Sequence, residues 1–224
     1  LYTRHRSVQY PIFDAGFRFG GIQLGPLDFA RFLDVINPDQ EDDGGVDDEE
    51  SDNEHVWYDF HSVDEFSQNF VAALTDLRPE SFTDVNKNYD SFKLELDNLQ
   101  IRLEGLAGHS LGLGVLATEG VGNLLLEHAG FENLTPEALA DAIEEETEVP
   151  PAALAKAETL IKNNLVAILV TNAQVEDQVS ERLRKLAETE GVPVVQLSEL
   201  IPDAEMNYFD WMNQVLDQVQ EAVY

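Results

Sequence analysis

The chain has 224 residues, 43% of them hydrophobic, and carries 13 Lys and Arg against 44 Asp and Glu, a formal charge of −31. That length and apolar content suffice for one large domain or two small lobes with a true core, while the charge repels phosphate backbones and anionic lipid surfaces and so argues against nucleic-acid and membrane-surface binding. With no cysteine, disulfides, thiolate metal sites and cysteine nucleophiles are excluded, and any bound metal has to be held by nitrogen and oxygen.

The acidic surplus suits a cation binder and equally a surface solvated in a salty medium. No apolar run approaches the ~20 residues that span a bilayer, and residues 1–25 lack a charged start followed by an apolar block. The chain begins at Leu1 without a methionine, which fits a processed or trimmed product.

Residues 1–25 show no sustained period. Leu27, Phe29, Ala30, Leu33 and Ile36 then share one helical face that Pro38 ends. An acidic tract follows, in which Val46 is the lone aliphatic residue between Asp39 and Asn53. Asp39, Glu41, Asp43, Gly44, Val46, Asp47 and Glu50 fall at positions 1, 3, 5, 6, 8, 9 and 12 of a calcium-binding EF-hand loop. Dense acidic tracts produce such matches by chance, so the competing reading is a solvated loop.

Past the tract, His55 stands at a charge border and Val56-Trp57-Tyr58 reads as a short strand. Ser62-Val63-Asp64-Glu65 has the form of a capping box opening a helix to about Leu77. Pro79 restarts a longer helix with Phe82, Val85, Tyr89, Phe92, Leu96, Leu99 and Leu103 at spacings of three and four. These boundaries divide the chain into an N-terminal lobe 1–78 with an acidic loop 38–54, a connecting helix 79–104, and a C-terminal lobe 105–224. Downstream, strands at Leu113–Thr118, Val166–Val170 and Pro193–Leu197 alternate with helices at Val121–His128, Pro136–Glu146, Pro151–Lys162, Val175–Glu190 and Tyr208–Val223. Alternation of this kind calls for a largely parallel sheet with helices on its faces.

Gly108-His109-Ser110-Leu111-Gly112 spells the G-x-S-x-G nucleophile elbow of lipases and esterases. The elbow needs a strand before the serine and a helix after it, and here the order is reversed. The one later histidine, His128, follows too soon to complete a triad. His5, His61 and His128 read as surface residues.

Ligands of open parallel sheets gather beyond the carboxyl ends of the strands. Glu119 and Glu199 stand at two such ends, and with His55 they make a nitrogen and oxygen set that suits zinc or manganese.

Asn53-Glu54-His55-Val56-Trp57-Tyr58-Asp59 resembles the N-x-H-V-W-x-D segment of the metal-binding solute-binding proteins of zinc and manganese ABC transporters. Ala117-Thr118-Glu119-Gly120 is similar to that family's T-(H/E)-x segment. Val192 to Glu199 resembles the stretch with its last ligand, where many members carry Asp, and Asn207 to Met212 resembles its closing helix. The resemblance runs from about Asn53 to the end; residues 1–40 do not match the family's segment holding the first histidine ligand. It implies an α/β fold of two lobes with largely parallel sheets joined by a long connecting helix, the N-terminal lobe incomplete. It further implies a non-enzymatic, monomeric, extracytoplasmic protein that binds Zn2+ or Mn2+ through His55, Glu119 and Glu199. The partner implied is a membrane ABC permease, and Thr171-Asn172-Ala173-Gln174 would lie near the metal-binding cleft.

Overall fold

The structure is a computed structural model that describes residues 18–19, 22–23, 53, 55–175 and 177–224. The helix expected at Leu27–Ile36 and the acidic stretch Asp39–Glu50 lie outside the described residues. Two compact units divide the chain, one of residues 1–47 and 65–93, the other of residues 48–64 and 94–224.

In the first unit, β1 (Arg18–Phe19) and β2 (Ile22–Gln23) pair antiparallel. Two helices are shared between the units along the chain: α1 (Phe60–Leu77) and α2 (Phe82–Ser110). Within the first unit Phe70, Val71 and Leu74 of α1 pack with Val85 of α2, flanked by Phe66 and Tyr89. The three-and-four spacing of these residues puts them on facing stripes of the two helices. Pro79 opens a single 3-10 turn, Pro79–Ser81, ahead of α2, where its missing N–H costs nothing.

The start of α1 departs from the sequence reading. Its first turn is capped by Asp59, whose Oδ1 accepts from the His61 N–H at 3.0 Å and whose Oδ2 accepts from the Ser62 N–H at 3.2 Å and the Ser62 hydroxyl at 2.6 Å. Ser62 lies inside the helix, its hydroxyl already committed to the true cap. The segment Val56–Tyr58 is likewise not a strand but a 3-10 turn, closed by Tyr58 N–H to His55 C=O at 3.0 Å and Asp59 N–H to Val56 C=O at 3.1 Å. Three apolar residues are too few to separate a strand from a turn by period. Here the turn buries Trp57 and Tyr58 and leaves Val56 exposed.

The second unit holds a four-stranded, all-parallel sheet of β3 (Gly114–Ala117), β4 (Glu132–Asn133), β5 (Ile168–Asn172) and β6 (Val194–Leu197), in the order β4-β3-β5-β6. β4 has no counterpart in the sequence reading, because a two-residue exposed strand carries no hydrophobic period. Parallel pairing requires crossovers, supplied by α3 (Asn123–His128), α4 (Glu137–Glu144), α5 (Pro151–Lys162) and α6 (Gln178–Glu190); α7 (Tyr208–Val223) follows β6.

Local chemistry fixes these helices. Pro151 occupies the first turn of α5. Asp177 Oδ1 accepts from the Val179 and Ser180 N–H groups to cap α6, and Gly191 ends it in the left-handed region at φ 76°. Asn207 caps α7 through the Asp210 N–H. Every residue of β5 is buried, as befits a central strand covered on both faces. Leu116 and Leu169 of the sheet pack with Leu139, Ile161, Leu183 and Ala187 of the helices. Each such aliphatic side chain removed from water contributes about 1.5–3 kcal/mol before chain entropy is charged against it.

Candidate metal-binding site

Because the sheet is parallel, β3, β5 and β6 end on the same edge. Thr118-Glu119-Gly120 follows β3, Asn172 is the last residue of β5, and Ser198-Glu199 follows β6. The strand at β5 runs two residues past the apolar stretch expected from sequence, and this extension carries Asn172 to the edge.

Asn172 joins the two carboxylates. Its Oδ1 accepts from the Gln174 N–H at 2.9 Å, so its Nδ2 is the atom that faces the acids. Nδ2 donates to Glu199 Oε1 at 2.8 Å, and the same amide hydrogen-bonds Glu119. Gln174 also braces the far side, its Oε1 accepting from the Glu199 and Leu200 N–H groups at 2.9 and 3.0 Å.

Glu119 is 5% exposed, and its Oε1 has no hydrogen-bond partner among the described residues. Burial pushes its carboxyl up to about 7; the Asn172 amide pulls it down, and the negative charges of Glu199, Glu144 and Asp177 add to the upward push. A buried carboxylate oxygen without a donor, facing further acids, is an environment that a cation would stabilise.

His55 is 4% exposed. Asn53 Oδ1 lies 2.9 Å from its Nδ1 and accepts from its backbone N–H at 2.9 Å, while Asn53 Nδ2 donates to the Gly120 carbonyl at 3.0 Å. The Trp57 ring meets the imidazole edge-on with centroids 5.4 Å apart. Gly120 is where these groups meet: a Cβ added there would lie 3.6 Å from Asn53 Nδ2, 3.6 Å from Glu144 Oε2 and 3.9 Å from His55 Nδ1. The His55 segment is tied down further along, where Tyr208 Oη donates to the Trp57 carbonyl at 2.8 Å.

His55, Glu119 and Glu199 therefore belong to one unit, with Glu119 and Glu199 bridged by one amide and His55 beside the residue that follows Glu119. Among the described residues no three His, Cys, Asp or Glu side chains are drawn together closely enough to hold a metal ion. The calcium-loop residues Asp39, Glu41, Asp43, Asp47 and Glu50 lie outside the described residues. Ser110 is fully buried at the end of α2, and its hydroxyl hydrogen-bonds the Leu106 carbonyl at 2.9 Å and the Ala129 carbonyl. Such a hydroxyl anchors a helix end and is presented to no substrate, so the G-x-S-x-G spelling is structural. His128, at the end of α3, lies 3.7 Å from Asp59.

Two contributors escaped the sequence reading as participants, Asn53 and Glu144, while Asn172 belongs to the segment 171–174 that the resemblance placed near the cleft. Asn53 and Asn172 stand inside motifs that were singled out, and their strand-edge or motif position was the available signal. Glu144, at the end of α4, reads in sequence as one acid among the several of Glu144-Glu145-Glu146, and only the packing brings it toward Gly120.

No curated protein matches the chain. Solved structures share its fold. The periplasmic zinc-binding protein TroA from Treponema pallidum matches with a TM-score of 0.59 at 17% identity over 76% of this chain and 64% of its own. FpvC from Pseudomonas aeruginosa, a solute-binding protein solved in complex with Mn2+, matches at 0.60 and 18% over 75% and 62%. The Zn(II)-bound E280Q mutant variant of AdcAII from Streptococcus pneumoniae matches at 0.60 and 17% over 76% and 60%. The chain thus spans about three fifths of the length of the structures it matches. The family model of ZnuA, described as zinc-uptake complex component A, periplasmic, matches residues 22–222, beginning upstream of the Asn53 at which the motif resemblance starts. By that match over nearly its whole length, the chain belongs to the ZnuA family of periplasmic zinc-uptake components.

Proposed function

We propose that the protein is an extracytoplasmic binding protein that captures a divalent transition metal, zinc first and manganese second, and delivers it to an ABC permease. No bond is made or broken in this task. The observation that supports it best is Glu119: a buried carboxylate with an unpartnered oxygen, held beside Glu199 by a shared amide and next to the loop that carries His55.

In this reading His55 gives a ring nitrogen while Glu119 and Glu199 give oxygens and neutralise the dication. Mixed nitrogen and carboxylate sets accept both zinc and manganese, so availability has a large part in the choice. The zinc-binding protein TroA, the Zn(II)-bound AdcAII variant and the Mn2+ complex of FpvC support the class of cargo. Calorimetric titration of the metal-stripped protein with zinc tests the reading. His55→Ala and Glu119→Gln are each expected to weaken binding by at least tenfold, and parent-like affinity in either variant would overturn it.

A further inference from the structure

The identity of the Asn53 atom that faces His55 Nδ1 follows from chemistry alone. The His55 backbone N–H can only donate, so the Asn53 atom 2.9 Å from it is the oxygen. The Gly120 carbonyl can only accept, so the Asn53 atom 3.0 Å from it is the nitrogen. Two partners of unambiguous character thus fix the amide orientation, and the atom 2.9 Å from His55 Nδ1 is an oxygen that only accepts. Nδ1 must therefore carry the proton. The neutral imidazole then has its lone pair on Nε2, which has no hydrogen-bond partner among the described residues.

From this we infer that Asn53 is a positioning residue that holds His55 in the Nδ1–H tautomer, leaving Nε2 as the metal-donating nitrogen, and at the same time ties the His55 loop to the Glu119–Gly120 turn. The inference rests on the proposed metal-binding reading for its purpose, though not for its geometry. One oxygen receives both the ring and the backbone N–H of His55, so ring orientation and loop conformation are set together. The other end of the same amide reaches the residue beside Glu119, 67 positions along the chain. Groups that orient a ligand imidazole through its second nitrogen contribute about 10–100-fold in metal affinity.

Ring-nitrogen NMR on the metal-free, full chain labelled with 15N-histidine tests this at about pH 8, where an ordinary imidazole is neutral; the His55→Ala spectrum identifies the signal. The parent is expected to show protonated Nδ1 and unprotonated Nε2. Asn53→Asp keeps the accepting oxygen and should keep that tautomer, whereas Asn53→Leu should shift the proton toward Nε2 and lower zinc affinity by about 10–100-fold. A parent ring protonated on Nε2 overturns the proposal, and so does an Asn53→Leu protein that loses zinc affinity with its tautomer unchanged. Should His55→Ala leave zinc binding intact, the metal reading fails by itself, while the tautomer measured without metal still decides the role of Asn53.

Discussion

The Tyr58 hydroxyl donates a 2.8 Å hydrogen bond to the Ser198 carbonyl and receives the Ser198 N–H at 3.4 Å, joining the third residue after His55 to the residue before Glu199 across 140 positions of sequence. Tyr58 is fully buried and its ring meets Trp211 of α7 edge-on. Removal of the hydroxyl leaves a buried carbonyl without its donor, at a cost of about 1–3 kcal/mol. Tyr58→Phe should therefore lower the free energy of unfolding in urea by that amount. Under the proposed function it should also weaken zinc binding, because the two loops lose their direct link.

Glu119 makes stability depend on pH. Its folded carboxyl titrates at about 7 against an ordinary 4.5, so between those values the folded chain holds a proton that the unfolded chain has released. The contribution is fully present below about pH 4.5, is lost as pH rises toward 7, and is constant above. Thermal melts of the metal-free protein should show this slope, and Glu119→Gln should flatten it and raise the melting temperature at pH 8.

Cation capture would invert that preference. Zinc selects the carboxylate form, so binding at about pH 6 should release close to one proton from Glu119, and affinity should climb as pH rises to 7. Titrations in two buffers of different ionisation heat measure the proton count directly. A count unchanged in Glu119→Gln would assign the proton to another group.

Gly122 adopts φ 77° at the start of α3, and a Cβ there would come within 2.2 Å of Leu197 Cδ1. Leu197 is 1% exposed, so its side chain would have to shift within the core. Gly122→Ala combines left-handed backbone strain with overpacking and should cost on the order of 2–4 kcal/mol, read as a lower urea midpoint.

The formal charge of −31 repels itself across the folded surface. Raising KCl from about 0.1 M to about 2 M shortens the screening length from about 10 Å to below 3 Å, and the melting temperature should climb accordingly. A melting temperature indifferent to salt would show that the ion pairs of the surface, such as Arg184 with Glu181 and Glu188, already offset the repulsion.

Elements with strong local signals were legible in the sequence. α5 and α7 begin and end where proline, capping asparagine and apolar spacing place them, and the alternation of strands and helices is enough to demand the parallel sheet. Short apolar runs were not legible: Val56–Tyr58 became a turn and Asp59 displaced Ser62 as the cap, because tertiary burial and a competing side chain decide such cases. Glu119 and Glu199 could be singled out from their places after strands. The hydrogen-bond partners of Asn53 and Asn172 and the approach of Glu144 could not, since no one-dimensional pattern says which loops share an edge.

The hydrogen bonds that assemble this edge span 27 positions for Asn172 with Glu199, 67 for Asn53 with Gly120 and 140 for Tyr58 with Ser198. Closing such long loops costs entropy before any contact repays it, and all-parallel pairing delays the repayment. A chain emerging from the ribosome must therefore wait until β6 and the turn after it have been made. Until then the links of Asn172 to Glu199 and of Tyr58 to Ser198 cannot form, so this edge is completed late in folding.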